Sequence, residues 1–144
     1  MPLKVIEYGT PEYQQMVALR ANILRRPLGL TFQPTELDEE RNNILIGAFE
    51  DDELMGCCML LEEEPGIIRL RQMAVLESLQ GKGVGKAIMN FAENVARDRG
   101  YKKITMHARK NAIGFYEKMG YEVRGDEFSE VTIPHYLMEK SLKQ

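Results

Sequence analysis

The sequence predicts an α/β domain built on a mixed sheet of six to seven strands, with helices on both faces. Three observations carry this prediction: a hairpin signal in the first half, a strand–helix–strand unit from Ile67 to Ala108, and two strand segments after a short late helix. A hairpin makes antiparallel neighbours, whereas a strand that returns through a helix makes a parallel pair with a right-handed crossover, so the sheet must combine both. At 144 residues the chain has the usual size of one domain and can bury roughly 70% of its unfolded surface around one core. A single domain over residues 1–144 is expected.

Leu3 to Tyr8 reads as a short strand. Thr10 followed by Pro11 supplies an N-cap and a first-turn proline for a helix reaching about Leu24. Tyr13, Met16, Val17, Ile23 and Leu24 share one face of that helix, and Arg20 falls among them instead of on the polar side. Pro27 and Gly29 end it, and the acidic run from Pro34 to Glu40 is a loop or a turn of helix. Ile44 to Phe49 and Leu54 to Leu61 are β-type runs split by Glu50-Asp51-Asp52-Glu53, a hairpin with a charged tip. Glu64-Pro65-Gly66 turns the chain into a strand from Ile67 to Val75, where Ile68 and Leu70 alternate with Arg69 and Arg71.

The period then changes. Val84, Ile88, Phe91, Ala92, Val95 and Ala96 recur at helical intervals until Gly100 stops the helix. Lys103 to Ala108 is a strand, Asn111 to Met119 a short helix closed by Gly120, and Tyr121 to Arg124 and Thr132 to Glu139 are the last strands.

Hydrophobic residues make up 44% of the chain and charged residues 28%, the balance of a chain that folds alone rather than a disordered one. A net charge of -3 with scattered Lys and Arg offers no basic stripe for a run of phosphates, so nucleic acid is not an expected partner. The longest apolar run, Met55 to Leu61, is too short for a bilayer, and Met1 to Gly9 lacks the features of a secretory signal. The expectation is a cytoplasmic protein with no membrane partner. Cys57 and Cys58 are adjacent, so they can neither staple distant segments nor form a spaced zinc pattern. They read as small buried hydrophobes, and no metal is expected.

The segment Gln80-Gly81-Lys82-Gly83-Val84-Gly85-Lys86 opens the clearest helix. A helix start offers free backbone N–H groups and about half a unit of positive charge, so a diphosphate can dock there without a basic side chain. Glycines allow close approach and unusual backbone angles. A dinucleotide fingerprint starting at Gly81 would need glycine at Lys86, and a P-loop ending at Gly85-Lys86 would need Ser or Thr at Ala87 and glycine at Gln80. Both fail. The pattern Q/R-x-x-G-x-G/A is met by Gln80, Gly83 and Gly85.

With that loop, the preceding strand Arg71-Gln72-Met73-Ala74-Val75 resembles the most characteristic segment of the GNAT acetyltransferase family. Asn111-Ala112-Ile113-Gly114-Phe115-Tyr116-Glu117-Lys118-Met119-Gly120-Tyr121 is similar to the family's helix after the fifth strand. Together the two segments cover about a third of the chain. The resemblance implies the GNAT fold, with a parallel central pair of strands that splay apart, and an acetyl-CoA-dependent N-acetyltransferase that works through a ternary complex. It also implies parts for residues. Met73, Ala74 and Val75 would bond the pantetheine arm and supply an oxyanion N–H, and the loop from Gln80 to Lys86 would hold the diphosphate. Asn111 would bond the arm or cap the helix. Tyr116 would protonate the departing thiolate, which suits a phenol that stays protonated at neutral pH; its alternative is a core aromatic beside Phe115.

Three residues compete as general base. His107 lies on the strand lining the splay, with a structural strand histidine as the alternative. Glu130 and His135 flank Thr132-Ile133-Pro134 in a pattern similar to small bacterial proteins of the ElaA type. Their spacing of five puts them on opposite faces of a regular strand, so a shared site needs an irregularity at Pro134. Arg20 and the Arg25-Arg26-Pro27-Leu28-Gly29 turn resemble the same subgroup's first helix, where Arg20 would hold an acceptor carboxylate or else snorkel to solvent. The expected acceptor is a small-molecule or peptide amine, and the family resemblance brings in a homodimer through the late strands. The contrasting function is an acyl-CoA-binding sensor without turnover, for which a proton donor such as Tyr116 has no use.

Overall fold

The computed structural model describes residues 1–142. In chain order they form β1 (Leu3–Ile6), α1 (Pro11–Arg20), α2 (Pro34–Asp38), β2 (Ile44–Glu50), β3 (Glu53–Glu64), β4 (Ile67–Val75), α3 (Val84–Asp98), β5 (Lys103–Arg109), α4 (Ile113–Glu117), β6 (Glu122–Glu130) and β7 (Ile133–Ser141). Among the described residues the seven strands make one sheet in the order β1-β2-β3-β4-β5-β7-β6, with β4 and β5 its parallel pair. The mixed α/β architecture is the one the hairpin and the crossover unit predict.

Side chains alternate across the sheet, and each face carries its own core. On one face α3 packs Ile88, Met89, Ala92 and Ala96 against Ile46, Cys58, Leu60, Ile68, Ile104 and Met138. Fully burying each large apolar side chain contributes about 1.5–3 kcal/mol. On the other, α1 packs Tyr13, Met16 and Leu19 against Ile6, Leu45, Phe49, Cys57 and Met59. Cys57 and Cys58 are thus both buried and free, one under each helix layer, and burial pushes the Cys57 thiol up to about 12.

The helix ends follow from local chemistry. Thr10 accepts the Tyr13 N–H at 3.2 Å and so caps α1. At the other end of α3, Gly100 is left-handed, with Tyr101 N–H bonded to Ala96 C=O and Gly100 N–H to Arg97 C=O; this pair of bonds satisfies carbonyls that the helix leaves open. Gly120 closes α4 in the same way, through Tyr121 N–H on Tyr116 C=O.

Two expectations change. The first helix does not run regularly to Leu24: at Ala21–Arg25 it widens into a π turn, then tightens to a 3₁₀ turn at Arg26–Leu28 that ends at left-handed Gly29. Such insertions rotate the side chains beyond them and recur at functional sites. Arg20, expected to hold an acceptor carboxylate or reach solvent, does neither. Its guanidinium has no exposed surface and forks onto Glu40 at 2.8 and 2.5 Å, while Tyr13 donates to the same carboxylate at 2.9 Å. A planar guanidinium matches a carboxylate through two parallel bonds, and this partner lies 20 residues along the chain, beyond any helical pattern.

The last hairpin also differs. The late strand from Tyr121 extends to Glu130, and β7 begins at Ile133 after a two-residue turn. Both turn residues, Val131 and Thr132, have positive φ, 45° and 63°. Two-residue hairpin turns of type I′ require this at both positions, but Asn-Gly adopts it freely and β-branched residues do not. Replacing Val131-Thr132 by Asn-Gly is therefore expected to stabilise the protein by about 1–3 kcal/mol, read by urea unfolding.

Candidate active site

β4 and β5 pair only from Ile67↔Lys103 to Leu70↔Met106, although β4 continues to Val75 and β5 to Arg109. Past that point each strand keeps its outer partner, Ala74 opposite Cys57 and Arg109 opposite His135, while the inner edges part. A bulge on β4 accompanies the separation: between Arg71 and Ala74 this strand has one residue more than β3, and Gln72 has a φ of 58°. An extra residue bends a strand and re-aims the side chains beyond it. Hence Ile68 and Leu70 face α3, whereas beyond the bulge Ala74 faces α1 and Met73 and Val75 pack on the α3 side. In the splay the β5-facing edge of Met73 to Val75 has no strand partner, and this is where the family resemblance puts the pantetheine arm.

The glycine loop lies beside the strand end. Gln80 Nε2 bonds the Val75 carbonyl at 3.1 Å, tying loop to strand. Gly81 and left-handed Gly83 turn the chain into α3, and a Cβ on either would have no atom within 4 Å. These two glycines serve the backbone conformation and an open approach. Gly85 serves packing: a Cβ there would come 3.3 Å from the Phe115 ring. The first bond of α3 runs from Ala87 N–H to Gly83 C=O, so the amides of Val84, Gly85 and Lys86 precede any acceptor inside the helix. Lys82 and Lys86 are exposed beside them. This donor set fits a diphosphate.

A cleft of about 510 Å³ continues through the splay toward α1. Its deep side includes Met106, Ala108, Ala112 and Tyr116, and its outer side is walled by Leu24, Leu28 and Leu30 from the π and 3₁₀ turns and the stretch after them. Tyr116 is buried on α4, edge-on to Phe115 and Tyr121, and burial pushes its phenol well up. Among the described residues no group bonds its hydroxyl, whereas Tyr121 donates to Glu93 at 2.9 Å and is held there. Asn111 stands exposed in a 3₁₀ turn, and neither that turn nor α4 has a side-chain cap, so capping is not its task.

His107, Glu130 and His135, separate candidates in sequence, meet on the α1 face. The hairpin explains why: Phe128 pairs with His135, and Glu130, two residues on, lies on the same face. Glu130 Oε1 is 2.8 Å from His107 Nδ1, and Oε2 is 3.7 Å from His135 Nε2. His135 is buried with Nδ1 2.8 Å from the Ile133 carbonyl, which can only accept, so that nitrogen carries the proton. Phe128 stacks on His135 and meets His107 edge-on.

Arg69 completes the cluster, although in the sequence it is only a polar residue on an alternating strand. Its Nη2 is 2.8 Å from the same His107 Nδ1. That nitrogen can accept from Arg69 or donate to Glu130, one at a time. Burial acts to raise the Glu130 carboxyl, but its bond to His107 and the charges of His107, His135 and Arg69 outweigh it and hold Glu130 below its ordinary value. Two imidazoles and a carboxylate could suit a metal, but the Arg69 cation sits against His107 and Glu130, and no metal-holding group forms among the described residues.

The sign of the Glu130 shift makes a test. A carboxyl whose folded value is depressed contributes stability above its unfolded value, and loses it as pH falls through the folded one. The wild type is expected to outlast Glu130→Gln in thermal melts at pH 6–7, with the difference fading as pH drops below about 4.

The Acetyltransferase (GNAT) domain model matches residues 31–142. The uncharacterized N-acetyltransferase YjcF of Bacillus subtilis is 32% identical over 106 residues, 73% of this chain and 74% of that protein. The chain spans about half the length of two further curated relatives from the same organism. Among solved structures, an aminoglycoside 6'-N-acetyltransferase complexed with coenzyme A superposes with a TM-score of 0.83 at 19% identity, covering 100% of this chain and 98% of that one. Escherichia coli ElaA superposes with a TM-score of 0.83 at 18% identity over 96% of this chain and 98% of its own; at these identities the likeness is one of fold. No helix among the described residues is long and apolar enough to cross a membrane. With the parted strands, the glycine-opened helix and the matched domain in agreement, the chain belongs to the GNAT acetyltransferase family.

Proposed function

We propose that the chain transfers an acetyl group from acetyl-CoA to a primary amine, through a ternary complex. The carrying observation is the combination of three features: free amides at the start of α3, which the Gln80 side chain ties to the end of β4, the parted edges of β4 and β5, and a cleft lined by both strands, Tyr116 and the His107–Glu130 pair. The α3 amides and the glycine loop would hold the donor's diphosphate, and the Met73–Val75 edge would orient the arm and offer an N–H to the developing oxyanion. Glu130 holds His107 by Nδ1, which leaves Nε2 to take a proton from the incoming ammonium. Tyr116 keeps its proton at neutral pH and can share it with the sulfur as charge develops. Each group binds, orients or moves one proton, as acyl transfer between a thioester and an amine requires.

Acetyl-CoA incubated with a panel of amines is expected to release thiol in proportion to acetylated product. Tight acetyl-CoA binding with no turnover on any amine would instead favour the sensor. Gly83→Ala separates binding from folding: the left-handed position costs about 1–2 kcal/mol of stability, and the added methyl stands where the phosphates approach. A rise of about tenfold or more in the acetyl-CoA dissociation constant is expected by calorimetry.

A further inference from the structure

The whole protein carries a charge of -3, yet the cleft has the opposite sign. Its lining includes Arg25, Arg69, Arg71 and Arg109 against one carboxylate, Glu130. Arg25 is committed to Glu36 at 2.5 Å, and Arg69 to His107, with Glu130 at 4.0 Å. Arg71 and Arg109 are different. Both are partly buried cleft residues, and among the described residues neither guanidinium has a carboxylate within 4.0 Å or a hydrogen-bond partner.

Their positions put them on the acceptor side. Arg71 precedes the β4 bulge and shares the α1 face with Arg69, opposite Met59 of the α1-side core. Arg109 pairs with His135 at the end of β5, on the same face as His107. The diphosphate-binding amides of α3 belong to the other side of the sheet. Burial first and then the charge of Arg71 pull the Arg69 guanidinium below its ordinary value, and the charges of Glu130 and Glu63 offset this only in part, which marks like-charge crowding between Arg69 and Arg71. Two guanidinium groups that line a half-buried cleft and have no carboxylate within 4.0 Å of their own suit an oxyanion, which a guanidinium binds through two parallel bonds.

Resting on the transfer reading above, we infer that the acceptor is a small amine that carries its own oxyanion, a carboxylate or a phosphate, bound by Arg71 and Arg109 while the amine meets His107 and Glu130. The cleft correspondingly disfavours polycationic amines, because each extra ammonium would face unrelieved arginines. The role that Arg20 loses to Glu40 thus passes to Arg71, in the sequence a polar residue on an alternating strand, and to Arg109, which ends β5 one residue beyond the strand expected from the sequence.

The test uses matched acceptors: α-amino acids against their carboxamides, phosphoethanolamine against ethanolamine, and spermidine as a polycation, each with acetyl-CoA and thiol release as readout. At least one oxyanion-bearing member is expected to exceed its neutral partner about tenfold or more in kcat/KM, with spermidine poorest. Arg71→Met and Arg109→Met, which keep apolar bulk and whose folding is checked by thermal melts, should raise the KM of that acceptor about tenfold and erase its advantage. The KM of acetyl-CoA should not move. Neutral amines or spermidine used as well as the anionic ones would overturn the inference. So would variants that raise only the KM of acetyl-CoA, since the arginines would then serve the donor's phosphates. If no amine is turned over, the transfer reading fails, and calorimetric titration of the same pairs into acetyl-CoA-loaded protein decides this inference separately. Preferential binding of an oxyanion member, lost in Arg71→Met, supports it; equal or absent binding overturns it.

Discussion

Glu40→Ala is expected to lower the unfolding free energy by about 3–5 kcal/mol and the melting temperature by roughly 10 °C or more. Arg20 is fully buried, its Nε already lacks a partner, and its two terminal nitrogens both depend on Glu40. Removing the carboxylate strands a buried cation and also orphans the Tyr13 hydroxyl. The cost of an uncompensated charge exceeds what the intact pair contributes, because the pair's attraction is largely offset by desolvation. Replacing all three partners together, with Tyr13→Phe, Arg20→Met and Glu40→Leu, should therefore recover most of the loss. A triple variant as unstable as Glu40→Ala would show that packing and not charge sets the penalty. The effect should reach the cleft as well. Arg20 and Arg25 both lie over the Phe32 ring, 4.7 and 4.2 Å from its centre, so the network braces the segment that supplies Leu24, Leu28 and Leu30.

What could be read from residues alone were the features set by near neighbours. Gln80 to Gly85, the Gly100 and Gly120 stops and the period change at Val84 all express backbone geometry within a few positions, and the structure has each in place. Features set by distant partners were hidden. The Glu130–His135 spacing puts the two on opposite faces only of a single continuous strand, whereas Val131-Thr132 folds them onto neighbouring strands. No Asn-Gly signal announced that turn. Arg69 and His107 are 38 residues apart, and nothing in the alternation of β4 separates an arginine that contacts a distant histidine from one facing solvent. The β4 bulge was likewise silent, since Gln72 is not a residue that advertises a positive φ. Arg20 stands out in the sequence as a charge on an apolar face, but such a charge can be buried with a partner as readily as aimed into a cleft.

Tyr116→Phe is expected to lower kcat by about 10²–10⁴-fold while leaving the melting temperature and the KM of acetyl-CoA near their wild-type values. The two tyrosines of this region allow the effect to be isolated. Tyr121 spends its hydroxyl on Glu93, which also takes Lys140 at 2.9 Å, so Tyr121→Phe removes a buried hydrogen bond and should cost stability. Tyr116 has an equally buried ring but a hydroxyl with no protein partner among the described residues, in the wall of the cleft. Phenylalanine keeps the ring packing with Phe115 and Tyr121 and deletes only a proton donor. Because burial raises the phenol further above neutrality, the donor stays protonated across the working range, and the activity of the wild type should show no basic limb from this residue up to about pH 9. An unchanged kcat in Tyr116→Phe would mean that the sulfur leaves as thiolate or takes its proton from water. In that case the selective value of an unpartnered hydroxyl at the end of the cleft would have to lie in binding, and the KM of acetyl-CoA would be the parameter that moves.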